Sequence, residues 1–315
     1  MRKTAVIFVL FLIALAGCTP IQPATSPSPI TTPSAPSTAP LPSAPPTEGW
    51  TKEVMPRIDG STATIPLSEG IAKKLLKLTD AEATAYIHHN TTHNAYVNLL
   101  DGKCDIIFVT PPSEGELALA KEKGIELEVV PVVREGFIFL VNKSNPVTSL
   151  TMEQLQNVYE GKIRNWKEVG GPDEAIIPYQ RPENSGSQTL FLELVMKGKA
   201  LMKPPTNLVA EGMGDLVEEV ASYETGKASL GYSVFYYATD MYVREGAKLL
   251  GVNGVIPDKK TISSGEYPLL SAYFAVLRKD APAGSPARKL LGWILSDDGQ
   301  RCADESGYVT LKPLN

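Results

Sequence analysis

Two periodicities alternate along this chain. The stretches Asp105 to Val109, Glu128 to Val133, Phe137 to Val141, Ala175 to Tyr179, Ala228 to Tyr232 and Leu270 to Leu277 have the length and apolar content of strands. Between them the apolar positions fall at helical spacing. Ile71, Ala72, Leu75, Leu76 and Leu78 share one face of a helix, with Lys73, Lys74 and Lys77 on the other. Near the end, Ser285-Pro286 reads as an N-cap and first helical residue, followed by Ala287, Leu290, Leu291, Ile294 and Leu295. No internal repeat is evident. Strands alternating with helices predict an α/β architecture with largely parallel sheets. In such sheets a ligand sits beyond the carboxyl ends of the strands, where loops enter helices.

The first residues follow a different pattern. Arg2 and Lys3 precede an unbroken apolar run from Ala5 to Ala16, too short to span a bilayer comfortably, so 1–17 reads as a signal peptide. Leu15-Ala16-Gly17-Cys18 resembles the bacterial lipoprotein signal, which implies diacylglyceryl attachment to the Cys18 sulfur and cleavage before it. The bland alternative is an ordinary cleaved signal with an accidental cysteine. Residues 18–49 are rich in Pro, Ser and Thr and cannot bury enough apolar surface to offset ordering, so they read as an extended tether. The expected location is the extracytoplasmic face of a cell membrane, held by lipid alone. Removing Arg2 and Lys3 from the formal charge of −5 leaves −7, and the basic residues are not clustered, which argues against nucleic acid. Besides Cys18, only Cys104 and Cys302 remain. Export permits a bridge between them, but both lie in apolar-periodic segments where a buried free thiol is common.

Three loop-to-helix junctions carry the candidate chemistry. They are Asp59-Gly60-Ser61-Thr62-Ala63-Thr64-Ile65-Pro66, then Asn90-Thr91-Thr92-His93-Asn94, then Gln180-Arg181-Pro182-Glu183-Asn184-Ser185-Gly186-Ser187-Gln188-Thr189. The helices they enter carry Leu75, then Tyr96, Leu99 and Leu100, then Phe191, Leu194 and Val195. A helix N-terminus offers unpaired N–H groups and a partial positive charge, which suit an oxyanion. Small residues let the backbone approach, hydroxyls add donors, and an arginine adds a bidentate fork. Plain helix capping by Ser or Thr is the bland explanation of any one junction.

Asn145-Pro146-Val147, Leu150-Thr151, Glu153-Gln154-Leu155, Tyr159, Gly161-Lys162-Ile163 and Asn165-Trp166-Lys167-Glu168-Val169-Gly170-Gly171 resemble the phosphate-binding proteins of high-affinity phosphate ABC importers. Arg181 followed by Ser185-Gly186-Ser187 matches that family's arginine and Ser-Gly-Thr spacing, with serine in place of threonine. Asp59-Gly60-Ser61-Thr62 resembles its first anion loop. Tyr273-Phe274-Ala275-Val276, Ser296-Asp297-Asp298-Gly299-Gln300 and Gly307-Tyr308-Val309 resemble its return to the first lobe.

The resemblance implies a two-lobed periplasmic-binding-protein-like fold with two crossovers. Lobe one would be 50–141 plus 272–315 and lobe two 142–271, with inorganic phosphate clamped between them. Ser61 and Thr62 would donate from lobe one, and Arg181, Ser185, Gly186 and Ser187 from lobe two. Two departures follow. Thr110 stands where the family carries an aspartate that accepts the phosphate proton, so rejection of sulfate is expected to weaken. Thr91 and Thr92 replace a glycine- and serine-rich second loop and are candidate donors.

Other residues weigh less. His88, His89 and His93 lack the added carboxylate or cysteine of a metal site and read as a solvated loop with one histidine at a helix start, so no metal is expected. Tyr232, Phe235, Tyr236 and Tyr237 read mainly as packing, with Tyr232 nearest the cleft. No Gly-x-Ser-x-Gly elbow, Walker A sequence or His-Glu-x-x-His is present, and Ser185-Gly186-Ser187 has no basic partner in sequence. The sequence therefore points to a receptor rather than an enzyme, without a cofactor, served by a permease and ATPase on separate chains. Rival readings are a receptor for sulfate or a small phosphorylated compound, and a surface adhesion or sensory protein on the same fold.

Overall fold

A computed structural model describes residues 49–203, 208–222 and 226–314. The signal peptide, Cys18 and the tether as far as residue 48 lie outside the described residues.

β1 (Ile58–Gly60) leads through a 3-10 turn (Thr62–Thr64) into α1 (Ile65–Leu76). Pro66 falls in the first turn of α1, where a missing N–H costs nothing. Leu67, Ile71 and Leu75 recur on one side and are buried. Each such side chain taken out of water is worth about 1.5–3 kcal/mol, so this face docks the helix. α1 stops before the expected stripe ends. Lys77 turns left-handed, with φ 57°, and Thr79 opens α2 (Asp80–Tyr86) with a reciprocal capping box to Glu82. Leu78 thus lies between two helices.

α3 (Thr92–Leu100) buries Tyr96, Leu99 and Leu100 and is followed by β2 (Ile106–Val109), buried throughout. After α4 (Glu114–Glu122) comes β3 (Leu127–Asn142), sixteen residues long, where the sequence pattern predicts two strands. The polar residues Arg134 and Glu135 interrupt the hydrophobic pattern but not the ladder, since they still pair with Ala272 and Ser271. Next are β4 (Ser149–Leu150), α5 (Met152–Tyr159), β5 (Ile177–Pro178) and α6 (Gly186–Leu190), which continues as a π-helical segment, Phe191–Met196. The remaining elements are α7 (Met213–Ala221), β6 (Ser229–Val234), β7 (Ala247–Val252), α8 (Lys259–Ser264), β8 (Leu270–Arg278), α9 (Pro286–Ile294) and α10 (Asp297–Glu305). Ser285 caps α9 by accepting from Arg288 N, with Pro286 next, as the pattern predicts.

The strands form an eight-stranded sheet in the order β1-β2-β8-β3-β6-β5, with β7 pairing β3 and β4. It is mixed rather than largely parallel. β1–β2, β4–β7 and β5–β6 run parallel, whereas β8 lies antiparallel to β2 and β3, and β3 antiparallel to β6 and β7. The expectation took every strand–helix alternation as a parallel crossover. Here β3 instead serves two sets of neighbours: its first part pairs with β8 up to Gly136, and from Phe137 onward it pairs with β6. The chain so crosses between the two halves along β3 and returns between β7 and β8.

Phe137, Phe139, Tyr159, Phe191 and Tyr232 pack together beneath the second half, with Phe191 stacked on Tyr232 at 4.7 Å between ring centroids. Cys104 and Cys302 are both free and buried, and burial raises both thiols, to about 12 and about 11. Among the described residues, no helix is long and apolar enough to cross a membrane.

Candidate functional site

The first wall of the site is built around a buried carboxylate. Asp59 accepts from Gly60 N (2.7 Å), Asn90 N (2.8 Å), Asn90 Nδ2 (2.9 Å) and Asn98 Nδ2 (2.8 Å), tying the first loop to the second. His89 braces the first loop from behind. Its Nδ1 lies 2.8 Å from the Ser61 carbonyl, which can only accept, so that nitrogen carries the proton. Nε2, 3.1 Å away, accepts from Ser68 Oγ. Burial lowers the His89 pKa, which keeps the ring neutral. Gly60 admits no side chain, because a Cβ there would fall 2.4 Å from the Phe108 carbonyl.

The hydroxyls of this wall are not spent on capping. Neither Ser61, Thr64 nor Thr91 caps the helix it precedes with its side chain. Thr64 Oγ1 donates to the Phe108 carbonyl (2.6 Å). Thr91 has φ 70°, a region costly for a β-branched residue and typical of strained functional loops.

The second wall carries the charge. Arg181 N donates to Tyr232 Oη (2.9 Å) and Gln188 Oε1 (3.1 Å), and the Tyr232 hydroxyl donates to the same Gln188 oxygen. Arg181 Nη1 donates to the Ala210 (3.1 Å) and Glu211 (2.6 Å) carbonyls. Burial pulls this guanidinium below the ordinary arginine value, and no carboxylate among the described residues pairs with it within salt-bridge distance. Ser185 does cap α6, accepting from Gln188 N (3.3 Å).

The walls touch. Ser113, the N-cap of α4, donates to Asn184 Oδ1 (2.9 Å), and Asn184 is left-handed with φ 64°. A Cβ on Gly186 would fall 2.4 Å from Thr110 Oγ1 and 2.8 Å from Thr92 Oγ1, so a glycine is needed for this approach.

Between the walls lies a cavity of about 530 Å³. All nine residues expected to bind ligand line it: Ser61, Thr62, Thr91, Thr92, Thr110, Arg181, Ser185, Gly186 and Ser187. Three buried polar atoms in its lining have no hydrogen-bond partner among the described residues: Thr110 Oγ1, Arg181 Nε and the Tyr273 hydroxyl. Donors from helix starts, a cation and orphan hydroxyls together suit a compact anion.

The structure adds residues the sequence reading did not nominate. Glu211, Gly212, Met213, Gly214 and Asp215 bring the start of α7 to the cavity, and His93, Tyr237 and Tyr273 also line it. Gly212-Met213-Gly214-Asp215 ahead of Leu216, Val217 and Val220 is another small-residue junction of the kind already sought. Tyr273 stands in the sequence only as part of the resemblance to the return to the first lobe, and nothing in that apolar strand marks it as a site residue. Tyr232 sits in the aromatic packing below and Tyr237 faces the cavity. Of the histidines, His93 does stand in the first turn of α3, but the loop before it is not simply solvated. Only His88 is exposed, His89 braces Ser61, and His93 Nδ1 lies 3.2 Å from the buried Glu116 carboxylate, whose pKa desolvation raises.

Comparison with known proteins adds the following. The model of the PBP superfamily domain matches residues 46–298. The chain is 25% identical over 261 residues to the phosphate-binding protein PstS of Bacillus subtilis, covering 82% of this chain and 81% of that one. It is 28% identical over 261 residues to that of Staphylococcus saprophyticus, covering 80% and 79%. A solved Clostridium perfringens structure with bound phosphate, described as a phosphate ABC transporter substrate-binding protein, matches with TM-score 0.64 and 26% identity, covering 81% of this chain and 98% of that one. An ABC-type phosphate transport receptor from Vibrio cholerae shares the fold with TM-score 0.59 at 22% identity, covering 80% and 98%. The two-lobed periplasmic-binding-protein-like α/β fold expected from the sequence stands.

Proposed function

The chain belongs to the family of PBP superfamily domains, and from that premise we propose that it is an extracytoplasmic lipoprotein that captures inorganic phosphate between two lobes and delivers it to an ABC importer. The observation that carries this reading is the group of orphan buried atoms, Thr110 Oγ1, Arg181 Nε and the Tyr273 hydroxyl, converging on one cavity. A buried polar atom without a partner costs about 1–3 kcal/mol, and an oxyanion between the walls offsets that cost for several at once. Ser61, Thr62, Thr91, Thr92 and Thr110 donate from lobe one; Arg181, Ser185, Gly186 and Ser187 close from lobe two. The lobes are taken as 50–141 plus 272–315 and 142–271; that there are two is supported by β3, which changes partners from β8 to β6 between Gly136 and Phe137.

Cys18 carries the lipid, and the permease and ATPase are separate chains. The protein is a receptor, not an enzyme. This accords with relatives named as binding proteins and transport receptors.

A second reading, a small phosphorylated compound or another oxyanion, is favoured by one feature. The cavity, about 530 Å³, is also lined by Glu211, Met213 and Asp215, residues a bare oxyanion held by the named donors does not call for. Thermal-shift measurement against phosphate, sulfate, arsenate and phosphonates decides between them, since a ligand that binds only the native state raises the melting point. Phosphate should give the largest shift. A larger shift from a phosphonate would favour the second reading, and no shift from any anion would sink both.

A further inference from the structure

Behind the cavity, two orphan oxygens stand back to back. Tyr273 is fully buried in β8, lines the cavity and has no hydrogen-bond partner for its hydroxyl among the described residues. Beside it on β3 is Glu135, also buried, whose Oε1 accepts from Gly136 N (2.8 Å) and Tyr236 N (3.2 Å) and whose Oε2 has no partner. β3 and β8 pair Val133 with Tyr273 and Glu135 with Ser271, so Glu135 and Tyr273 are diagonal neighbours on one face of the sheet, each perturbing the titration of the other without a well-formed hydrogen bond between them. We propose that Tyr273, set by Glu135, is the group that reads whether the bound oxyanion carries a proton. This rests on the anion-binding reading above.

The mechanism is a choice of hydrogen-bond direction. When Glu135 is ionised, the Tyr273 O–H donates to Oε2, and the phenol oxygen presents only a lone pair to the cavity. It then accepts from an O–H on the ligand, as a hydrogenphosphate supplies, and repels an oxyanion with no proton. When Glu135 is protonated, its carboxyl O–H donates to the phenol oxygen, and the Tyr273 O–H turns to the cavity as a donor. A protonless anion is then accepted. No proton enters or leaves the ligand in either state.

Glu135 titrates in the range that makes this choice matter. Burial, the largest cause, raises its pKa to about 7, opposed by its hydrogen bonds to backbone N–H groups. The titratable groups facing it are Tyr273 from β8, Tyr236 from the segment after β6 and Tyr308 from the C-terminal segment, all phenols that burial raises. Glu69 of α1 and Asp240 act on Tyr236. Arg134, adjacent on β3, turns its guanidinium to the Leu311 carbonyl (3.0 and 3.1 Å).

Sulfate is the probe, because it carries no proton across the range tested. Calorimetric titration of the full-length protein, wild type, Glu135→Gln and Tyr273→Phe, is run with sulfate and with phosphate at about pH 5.5 and about pH 8.5, on either side of the glutamate's titration. His93 also lines the cavity, so the gain that counts is the wild type's in excess of the variants'. One hydrogen bond reversed is worth about tenfold. On acidification the wild type should gain at least about tenfold more sulfate affinity than either variant. Glu135→Gln should bind sulfate more tightly than the wild type at the higher pH, because the amide can donate to Tyr273. An equal gain in wild type and variants, or no sulfate binding by the wild type at the lower pH, overturns the proposal. Melting curves establish that each variant is folded, and Tyr273→Phe serves if Glu135→Gln is not. A wild type that binds phosphate but fails these tests leaves the anion reading intact. One that binds neither anion removes that reading and this inference with it.

Discussion

The two walls of the cavity solve the same task in opposite ways. The wall from β1, α3 and β2 is neutral toward the ligand, and its hydroxyls are held by a buried net: four N–H donors on Asp59, and His89 between Ser61 and Ser68. The wall from α6 presents a cation held by two carbonyl oxygens of the 210–211 segment, with no carboxylate of the described residues within salt-bridge distance, although Asp215 and Glu211 act on it from farther off. Geometry is concentrated in one wall and charge in the other. A rigid neutral wall fixes where an anion sits, while a charged wall with spare donors supplies most of the attraction and gains most from closing.

The largest effect that could break this comparison is at Arg181. Losing one partner of a desolvated charge-assisted pair costs about 2–5 kcal/mol, so Arg181→Ala should weaken phosphate binding by about thirtyfold or more. Arg181→Lys should recover part, since a point charge cannot reproduce the fork. Unchanged calorimetric affinity in Arg181→Ala would remove charge from the second wall's role. Asp59→Ala is the matching change on the first wall. It leaves four donors without their carboxylate and should cost about 2–3 kcal/mol of stability in urea unfolding without ligand, whereas Arg181→Ala should cost far less. Equal losses would mean that the walls do not divide the work.

Glu135→Gln probes the floor between them. Its carboxyl is raised from 4.5 to about 7, so its contribution to stability is complete below 4.5 and is lost as pH rises through about 7. The wild-type melting temperature should therefore fall across that interval relative to Glu135→Gln, by a few degrees, about 2–4 °C per kcal/mol for a chain of this size. Parallel melting profiles would show that Glu135 titrates normally. The smallest effect is expected at Ser61. Removing one neutral hydroxyl, with its 3.2 Å contact to Thr64 Oγ1, should weaken binding only about threefold to tenfold. A loss in Ser61→Ala as large as that in Arg181→Ala would invert the comparison.

How much was legible depended on whether a residue's neighbours were close in sequence. Caps, helix starts and the Arg181-to-Ser187 junction are local, and the three junctions that the sequence marks all reach one cavity. Strand direction is not local. β3 is antiparallel to β7 and to β8 because residues more than a hundred positions apart pair, Phe139 with Leu250 and Val130 with Ala275, and no short pattern records that. β1, β4 and β5 are too short to show a period. Asp59 and Tyr273 stand inside motifs the sequence marks, but what they do there, like what His89 does, was opaque for a related reason. Their importance lies in which chain segments meet on them, whereas Gly212 to Asp215 could have been found by the rule that found the other junctions.

The strand β3 also bears on how the molecule comes apart under heat. Its sixteen residues lie inside both halves of the sheet, bonded to β8 at one end and to β6 and β7 at the other. Melting either half strips partners from a strand on which the other half depends, so neither has an edge along which to separate cleanly. Two lobes joined by slack linkers would give two endotherms. Here a single cooperative transition is expected, with calorimetric and van't Hoff enthalpies in agreement.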